Sequence, residues 1–127
     1  MNDNLIKIAS ELVNPISLNG NKDNRARSVG CALLTVNGNI YTGISINMTC
    51  GLGFCAEAAA IAEMLKAGET KIAKIVAFHK SGKILSPCGR CREMMYQTNT
   101  DNINTEIILD HGEVKTLGDL LPYYCWA

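Results

Sequence analysis

Cys55-Ala56-Glu57 and Pro87-Cys88-Gly89-Arg90-Cys91 bring three thiols and one carboxylate into two short motifs. Three protein ligands on a zinc ion leave its fourth tetrahedral position open to water, and a carboxylate two residues past a ligand can move that water's protons. A structural zinc site would close its shell with a fourth ligand and would have no use for Glu57. The chemistry expected of the pair is metal-assisted hydrolysis, with Cys55, Cys88 and Cys91 on one Zn2+ and Glu57 as the catalytic proton carrier.

Residues three apart on a helix share a face, so Cys88 and Cys91 can hold one ion together. Cys55 and Glu57 are two apart and would diverge in mid-helix, so both address the metal only at a helix entrance. Both motifs are therefore expected to open helices, whose amino-terminal partial charges stabilise thiolates. Three thiolates leave the cluster anionic, which raises the pKa of metal-bound water. Arg90, between two ligands, is the candidate counter-charge, with Arg92 second.

The elements that must position these residues follow from periodicity and turn chemistry. Leu5, Ile8, Ala9, Leu12 and Val13 recur at helical spacing after Asp3, and Pro15 with Asn19-Gly20 closes that segment. Polar residues from Asn19 to Arg27 are expected to form a loop. Val29 to Val36 and Ile40 to Ile46 flank Asn37-Gly38, a strong hairpin signal because both turn residues tolerate positive φ. A loop with Gly51 and Gly53 leads into a helix from Cys55 to Ala67, stopped by Gly68. Ile72 to Phe78 is a strand. Ser86 as cap and Pro87 as first helical residue start the helix carrying Cys88 and Cys91. Thr105 to Leu109 is a strand, Asp110-His111-Gly112 a turn, Val114 marks a short strand, and Leu117 to Leu121 a final helix ended by Pro122. One hairpin combined with strand-helix-strand crossovers predicts an α/β fold, one mixed sheet covered by helices, in a single domain spanning 1–127.

Composition narrows the partners. Twelve Lys plus Arg balance twelve Asp plus Glu in this chain of 127 residues, and 47% of residues are apolar, enough for one core. No basic stripe exists to neutralise a polyanion, so no nucleic acid polymer is expected, and a small substrate is. The amino-terminal apolar stretch is broken by Lys7, Ser10 and Glu11, so neither an export signal nor a membrane span is expected. Six cysteines without such a signal place the chain in a reducing cytosol with free or metal-bound thiols. Cys31 belongs to a core strand, while Cys50 and Cys125 are candidate fourth ligands if the zinc is only structural. A lone Cys-x-x-C also suits a redox dithiol, and a non-catalytic zinc-stabilised interaction module is the further alternative. His79 and His111 have no matching spacing partner and are assigned to surface or turn roles.

The pairing of Cys-Ala-Glu with Pro-Cys-x-x-Cys is similar to the zinc deaminase signature. The chain resembles the small cytidine deaminases from Val29 to Pro122, through Val29-Gly30-Cys31-Ala32, Tyr41-Thr42-Gly43, both motifs and Leu120-Leu121-Pro122. The resemblance implies a three-layer αβα cytidine deaminase-like fold with a mixed five-stranded sheet, one Zn2+ per chain, and attack of zinc-activated water on the amine-bearing ring carbon of a cytosine nucleoside. It implies that backbone groups near Ala56 and Ser86 hold the base edge, and that the chain forms a homotetramer, with a dimer as alternative. Nucleoside-specific members hold the ribose with an Asn-x-Glu pair where this chain has Ser45-Ile46-Asn47, so Ser45 and Asn47 are the candidate sugar contacts. Arg27 and Ala58 replace a usual Phe and Arg. These departures, the run Ile84 to Arg92 and the tail Tyr123-Tyr124-Cys125-Trp126 resemble the blasticidin S deaminase branch. Trp126 is a candidate lid over the substrate or a terminal anchor.

Overall fold

The helical period produces α1, Asn2–Leu12, which takes Asp3 into its first turn rather than starting after it, and buries Leu5 and Ala9. The computed structural model describes residues 2–125, so Trp126 lies outside the described residues. The stretch expected as a loop is instead regular: β1, Ile16–Leu18, pairs antiparallel with the start of β2, Asn21–Thr35. Asn19 and Gly20 sit at φ 54 and 65 and turn the chain between them. Two successive positive φ values are those of a two-residue hairpin turn, so the Asn-Gly pair makes a hairpin rather than ending α1. Asn37-Gly38 forms the second hairpin, joining β2 to β3, Ile40–Asn47.

The chain continues through α2, Ala56–Lys66; β4, Ile72–His79; β5, Ile84–Leu85; α3, Gly89–Thr98; β6, Glu106–Ile108; β7, Val114–Thr116; and α4, Leu117–Leu120. The mixed sheet has seven strands where five were expected, because β1 and the two-residue β5 add to the edges of β2 and β4. Its main path runs β3-β2-β4-β6-β7, with β4 and β6 parallel and the other neighbours antiparallel. Strand alternation sends Cys31 and Leu33 to one face, where they pack with Ala56, Ile61, Met64 and Met95 from α2 and α3. Ala32 and Val76 face the other way, onto Leu5 and Ala9 of α1. The result is the expected αβα sandwich.

Two glycines bring the first motif onto the sheet. A Cβ on Gly43 would strike the Ala60 nitrogen and the Ala56 carbonyl oxygen, so only glycine lets β3 run this close to the start of α2. A Cβ on Gly53 would strike the Ile46 carbonyl, where Phe54 and Ile46 exchange two backbone hydrogen bonds of 2.9 and 3.0 Å. Phe54 and Cys55 are thereby fixed beside the end of β3.

Candidate metal centre and active site

Both motifs open helices, and both do so with a cysteine at the cap. Cys55 is the residue before α2, in extended conformation, and its sulfur takes no part in capping. Cys88 holds the same position before α3, again with its sulfur free. This corrects the expectation that Ser86 caps the second helix and Pro87 begins it: both lie ahead of the helix. Their place is set by Arg92, whose Nε donates to the Pro87 carbonyl (2.8 Å), while Nη2 donates to Ser86 Oγ (3.0 Å) and Nη1 to the Leu120 carbonyl (3.0 Å). Arg92 is thus a strut for the second motif, with its donors spent on oxygen atoms rather than on thiolates.

The sulfurs of Cys55, Cys88 and Cys91 lie within 4.8 Å of one another, and those of Cys55 and Cys88 are 3.5 Å apart. A tetrahedral zinc with Zn–S bonds of ~2.3 Å separates its sulfurs by about 3.8 Å, so the cluster fits one such ion. Electrostatics agrees. Burial pushes the Cys91 thiol well up, helped by the charge of Glu57, and burial with the neighbouring Cys88 thiol raises Cys55. Burial also opposes ionisation of Cys88, but the Cys91 backbone N–H and the adjacent thiols outweigh it and hold Cys88 low. Three such thiols cannot ionise side by side without a cation to take the place of their protons.

Glu57 is the second residue of α2, in its first turn, and is only 5% exposed. Burial raises its pKa, and its own backbone N–H pulls the other way. Cys55 and Glu57 line a cavity of about 450 Å³, together with Ser45, Asn47, Ala56, Ser86 and Arg90. Each of these expected site residues is therefore brought to one place. Ser45 is buried, and its Oγ accepts the Val29 N–H at 3.0 Å. Arg90 is exposed at the cavity wall.

Other cavity residues went unmarked in the sequence. Phe54 is apolar and immediately precedes a ligand, a signal that was available; Asp23 falls in the stretch taken for a loop, and only the folding of that stretch into an irregular start of β2 brings it here. Among the described residues, the metal-suited group contains three cysteines, with neither Cys50 nor Cys125 among them, and both of those are exposed. Cys31 is fully buried, as expected. His79 pairs with Ser81 at 2.8 Å in a turn, and His111 lies in the turn Asp110–Gly112, so neither reaches the site.

An open trithiolate centre at two helix starts, with a buried carboxylate beside it and an αβα frame behind it, defines a zinc hydrolase of the deaminase kind. Residues 5–107 match the family model described as cytidine and deoxycytidylate deaminase zinc-binding region. The chain is 33% identical over 97 residues to a cytidine deaminase of Mycobacterium tuberculosis, covering 75% of this chain and 70% of that protein. It is 31% identical over 100 residues to a blasticidin-S deaminase of Bacillus cereus, covering 72% and 68%. The crystal structure of cytidine deaminase from Mycobacterium tuberculosis superposes with a TM-score of 0.79 at 28% identity, over 98% of this chain and 97% of that one. The chain belongs to the cytidine and deoxycytidylate deaminase family. It is a hydrolytic deaminase with a site for one zinc ion.

Proposed function

We propose that this enzyme removes the exocyclic amine from a cytosine nucleoside, with cytidine or deoxycytidine as default substrate, and that residues 1–127 form one deaminase domain. The observation that carries the reading is the meeting of three sulfurs within 4.8 Å, one of them, that of Cys55, belonging to a residue that lines the same cavity as the buried Glu57. Zinc, when bound by Cys55, Cys88 and Cys91, supplies charge that makes a water molecule acidic enough to ionise near neutral pH. Glu57 takes that water's proton and passes protons to the ring nitrogen and then to the departing amine. A C–O bond forms at the ring carbon, its C–N bond breaks, and ammonia leaves. Burial suits Glu57 to this exchange, because a carboxyl with a raised pKa gives and takes protons closer to neutrality.

Backbone groups at Ala56 and Ser86 hold the base edge, while Val29, Phe54 and Leu85 give the cavity the apolar walls that keep bulk water from the base. Ser45, whose oxygen already accepts from Val29, has its one hydroxyl hydrogen left for the sugar, and Asn47 offers an amide beside it. Arg90 offsets the charge of the thiolates. The likeness to blasticidin-S deaminase, together with Ala58 after Glu57, supports a second reading, a blasticidin S-type cytosine nucleoside. The balance of charge argues against a nucleic acid polymer as partner, and no helix among the described residues is long and apolar enough to cross a membrane. A homotetramer in the cytosol completes the proposal. Zinc-loaded protein screened by ultraviolet absorbance against cytidine, deoxycytidine and blasticidin S should deaminate at least one, and no absorbance change with any of them would remove the substrate assignment.

A further inference from the structure

We propose that Asp23 is a substrate-specificity residue: its carboxylate accepts hydrogen bonds from donor groups on the sugar side of the nucleoside and disfavours substrates phosphorylated there. This inference rests on the cytosine-nucleoside reading and names how that substrate is chosen.

Asp23 reaches the cavity because β2 is bent. Between Ala26 and Gly30 the strand carries two more residues than β3 does between Ile46 and Ile44, so a bulge separates the first third of β2 from the rest. Arg27 sits in it at φ 66, and its Nε donates to the Leu12 carbonyl at 2.9 Å, while the Asn14 N–H donates to the Arg27 carbonyl at 3.1 Å. Ser45 Oγ receives the Val29 N–H on the other side. The bulge is therefore tied both to the end of α1 and to β3. Beyond it, Arg25 pairs with Asn47, and Asp23 follows two residues further along, in a second irregularity of β2 where Arg25 faces Ser17 and Asn21 faces Leu18. Asp23 and Asn47 both line the cavity.

The environment leaves this carboxylate for a ligand. Both neighbouring arginines are turned away, Arg25 onto the Lys22 carbonyl at 2.6 Å and Arg27 onto the Leu12 carbonyl. Among the described residues no ion pair engages Asp23 and no hydrogen bond is made by its carboxylate, its backbone N–H donating to Asn21 Oδ1 at 2.9 Å. Among the described residues Glu57 is the only other carboxylate on the cavity wall, and it is buried and assigned to proton transfer. An ionised carboxylate is an acceptor only, so it selects hydroxyl or ammonium hydrogens and repels phosphate. It supplies what Ser45 and Asn47 cannot, a negative acceptor at the sugar, but from a different strand than the family's Asn-x-Glu pair.

The test measures kcat and KM of the zinc-loaded enzyme for cytidine, for a cytosine nucleoside carrying a sugar-side amino or guanidino group, and for deoxycytidylate. Wild type, Asp23→Asn and Asp23→Lys are compared, with zinc content and melting temperature recorded for each. Loss of a charged hydrogen-bond partner should raise KM for the cationic substrate roughly 10- to 100-fold in Asp23→Asn with kcat little changed, and by only a few-fold for cytidine, whose hydroxyls still find an amide acceptor. Asp23→Lys should raise the deoxycytidylate-to-cytidine ratio of kcat/KM about tenfold or more. The larger effect on the cationic or the hydroxyl substrate tells which donor the site takes. Substrate ratios constant within about twofold in both variants, or a fall in kcat at constant KM, would overturn the assignment of Asp23 alone. Wild-type zinc enzyme inert toward all three substrates would overturn the nucleoside reading and this inference with it.

Discussion

A cysteine at a helix cap is a poor choice for the helix, since Ser, Thr, Asp or Asn there would accept a hydrogen bond from the first turn, worth about 1 kcal/mol. Both α2 and α3 forgo it, and both sulfurs stay free for a metal. The same reasoning sets the test of Glu57. If it carries protons rather than holding the fold, Glu57→Gln, which keeps shape and removes the charge, should bind one zinc per chain, melt no lower than wild type, and lose roughly 10²- to 10⁴-fold in kcat. Elemental analysis beside steady-state kinetics checks this, and undiminished deamination would remove Glu57 from the chemistry. The ligand set and Glu57 were legible in the sequence because their chemistry depends on local spacing. Two details were not. Ser86-Pro87 has the pattern of a cap and first helical residue, but Arg92, reaching from inside α3 to the Ser86 and Pro87 oxygens and across to Leu120, fixes those residues outside the helix. Asp23 enters the cavity through a bulge, and a bulge leaves no mark in a single sequence when its positive-φ residue is an arginine.

At the level of elements, α2 is held at both ends, its start by the close approach at Gly43 and its end by Glu69. The chain leaves α2 through Gly68 at φ 87, with Gly68 N–H on Leu65 O (3.0 Å) and Glu69 N–H on Met64 O (3.2 Å), a double closure of the last turn. Glu69 is thereby aimed at the second hairpin, where Tyr41 Oη (2.8 Å) and the side-chain amides of Asn39 (2.8 Å) and Asn37 (3.0 Å) donate to its carboxylate. The Tyr41 hydrogen bond, followed by that of Asn39, holds the Glu69 carboxyl below its usual range. A carboxyl depressed in the folded state contributes stability that is complete above its unfolded pKa and is lost as pH falls through its folded pKa. Glu69→Gln should therefore melt lower than wild type at neutral pH, and the two curves should converge below about pH 4. Melting temperatures across pH 3 to 8 decide it; a constant gap would show that the carboxylate charge is not what clamps the hairpin. The Asn37-Gly38 hairpin was readable because its flanking runs are apolar. Asn19-Gly20 was not, because the same dipeptide following a helix, beside strands as polar as Asn21 to Arg25, has the signature of a loop; the start of β2 is held on its other side by the end of β3, some twenty residues on in sequence.

For the whole molecule, the surface around the cavity departs from what a lone chain needs. Leu52 is 70% exposed, and Met48 and Phe54 beside it are also exposed, all within the loop that leads into the metal centre. Lysines and arginines equal acids in number, so no excess charge keeps copies apart. An apolar rim on a neutral molecule is the surface that symmetric self-association buries, and burying this one would set a neighbouring subunit at the cavity mouth. The homotetramer proposed for this chain then has a measurable form: light scattering at micromolar concentration should give about four times the 13.8 kDa chain mass. Leu52→Asp places a charge that the interface must desolvate, and it should shift the mass to dimer or monomer. Because the loop from Met48 to Phe54 contributes cavity wall, the same variant should lose activity about tenfold or more while retaining its zinc, since Cys55 and Cys88 cap α2 and α3 and Cys91 lies within α3, none of them on the exposed rim residues. A wild-type enzyme that is monomeric and keeps its specific activity on dilution would dissociate catalysis from assembly and leave the apolar rim to another partner.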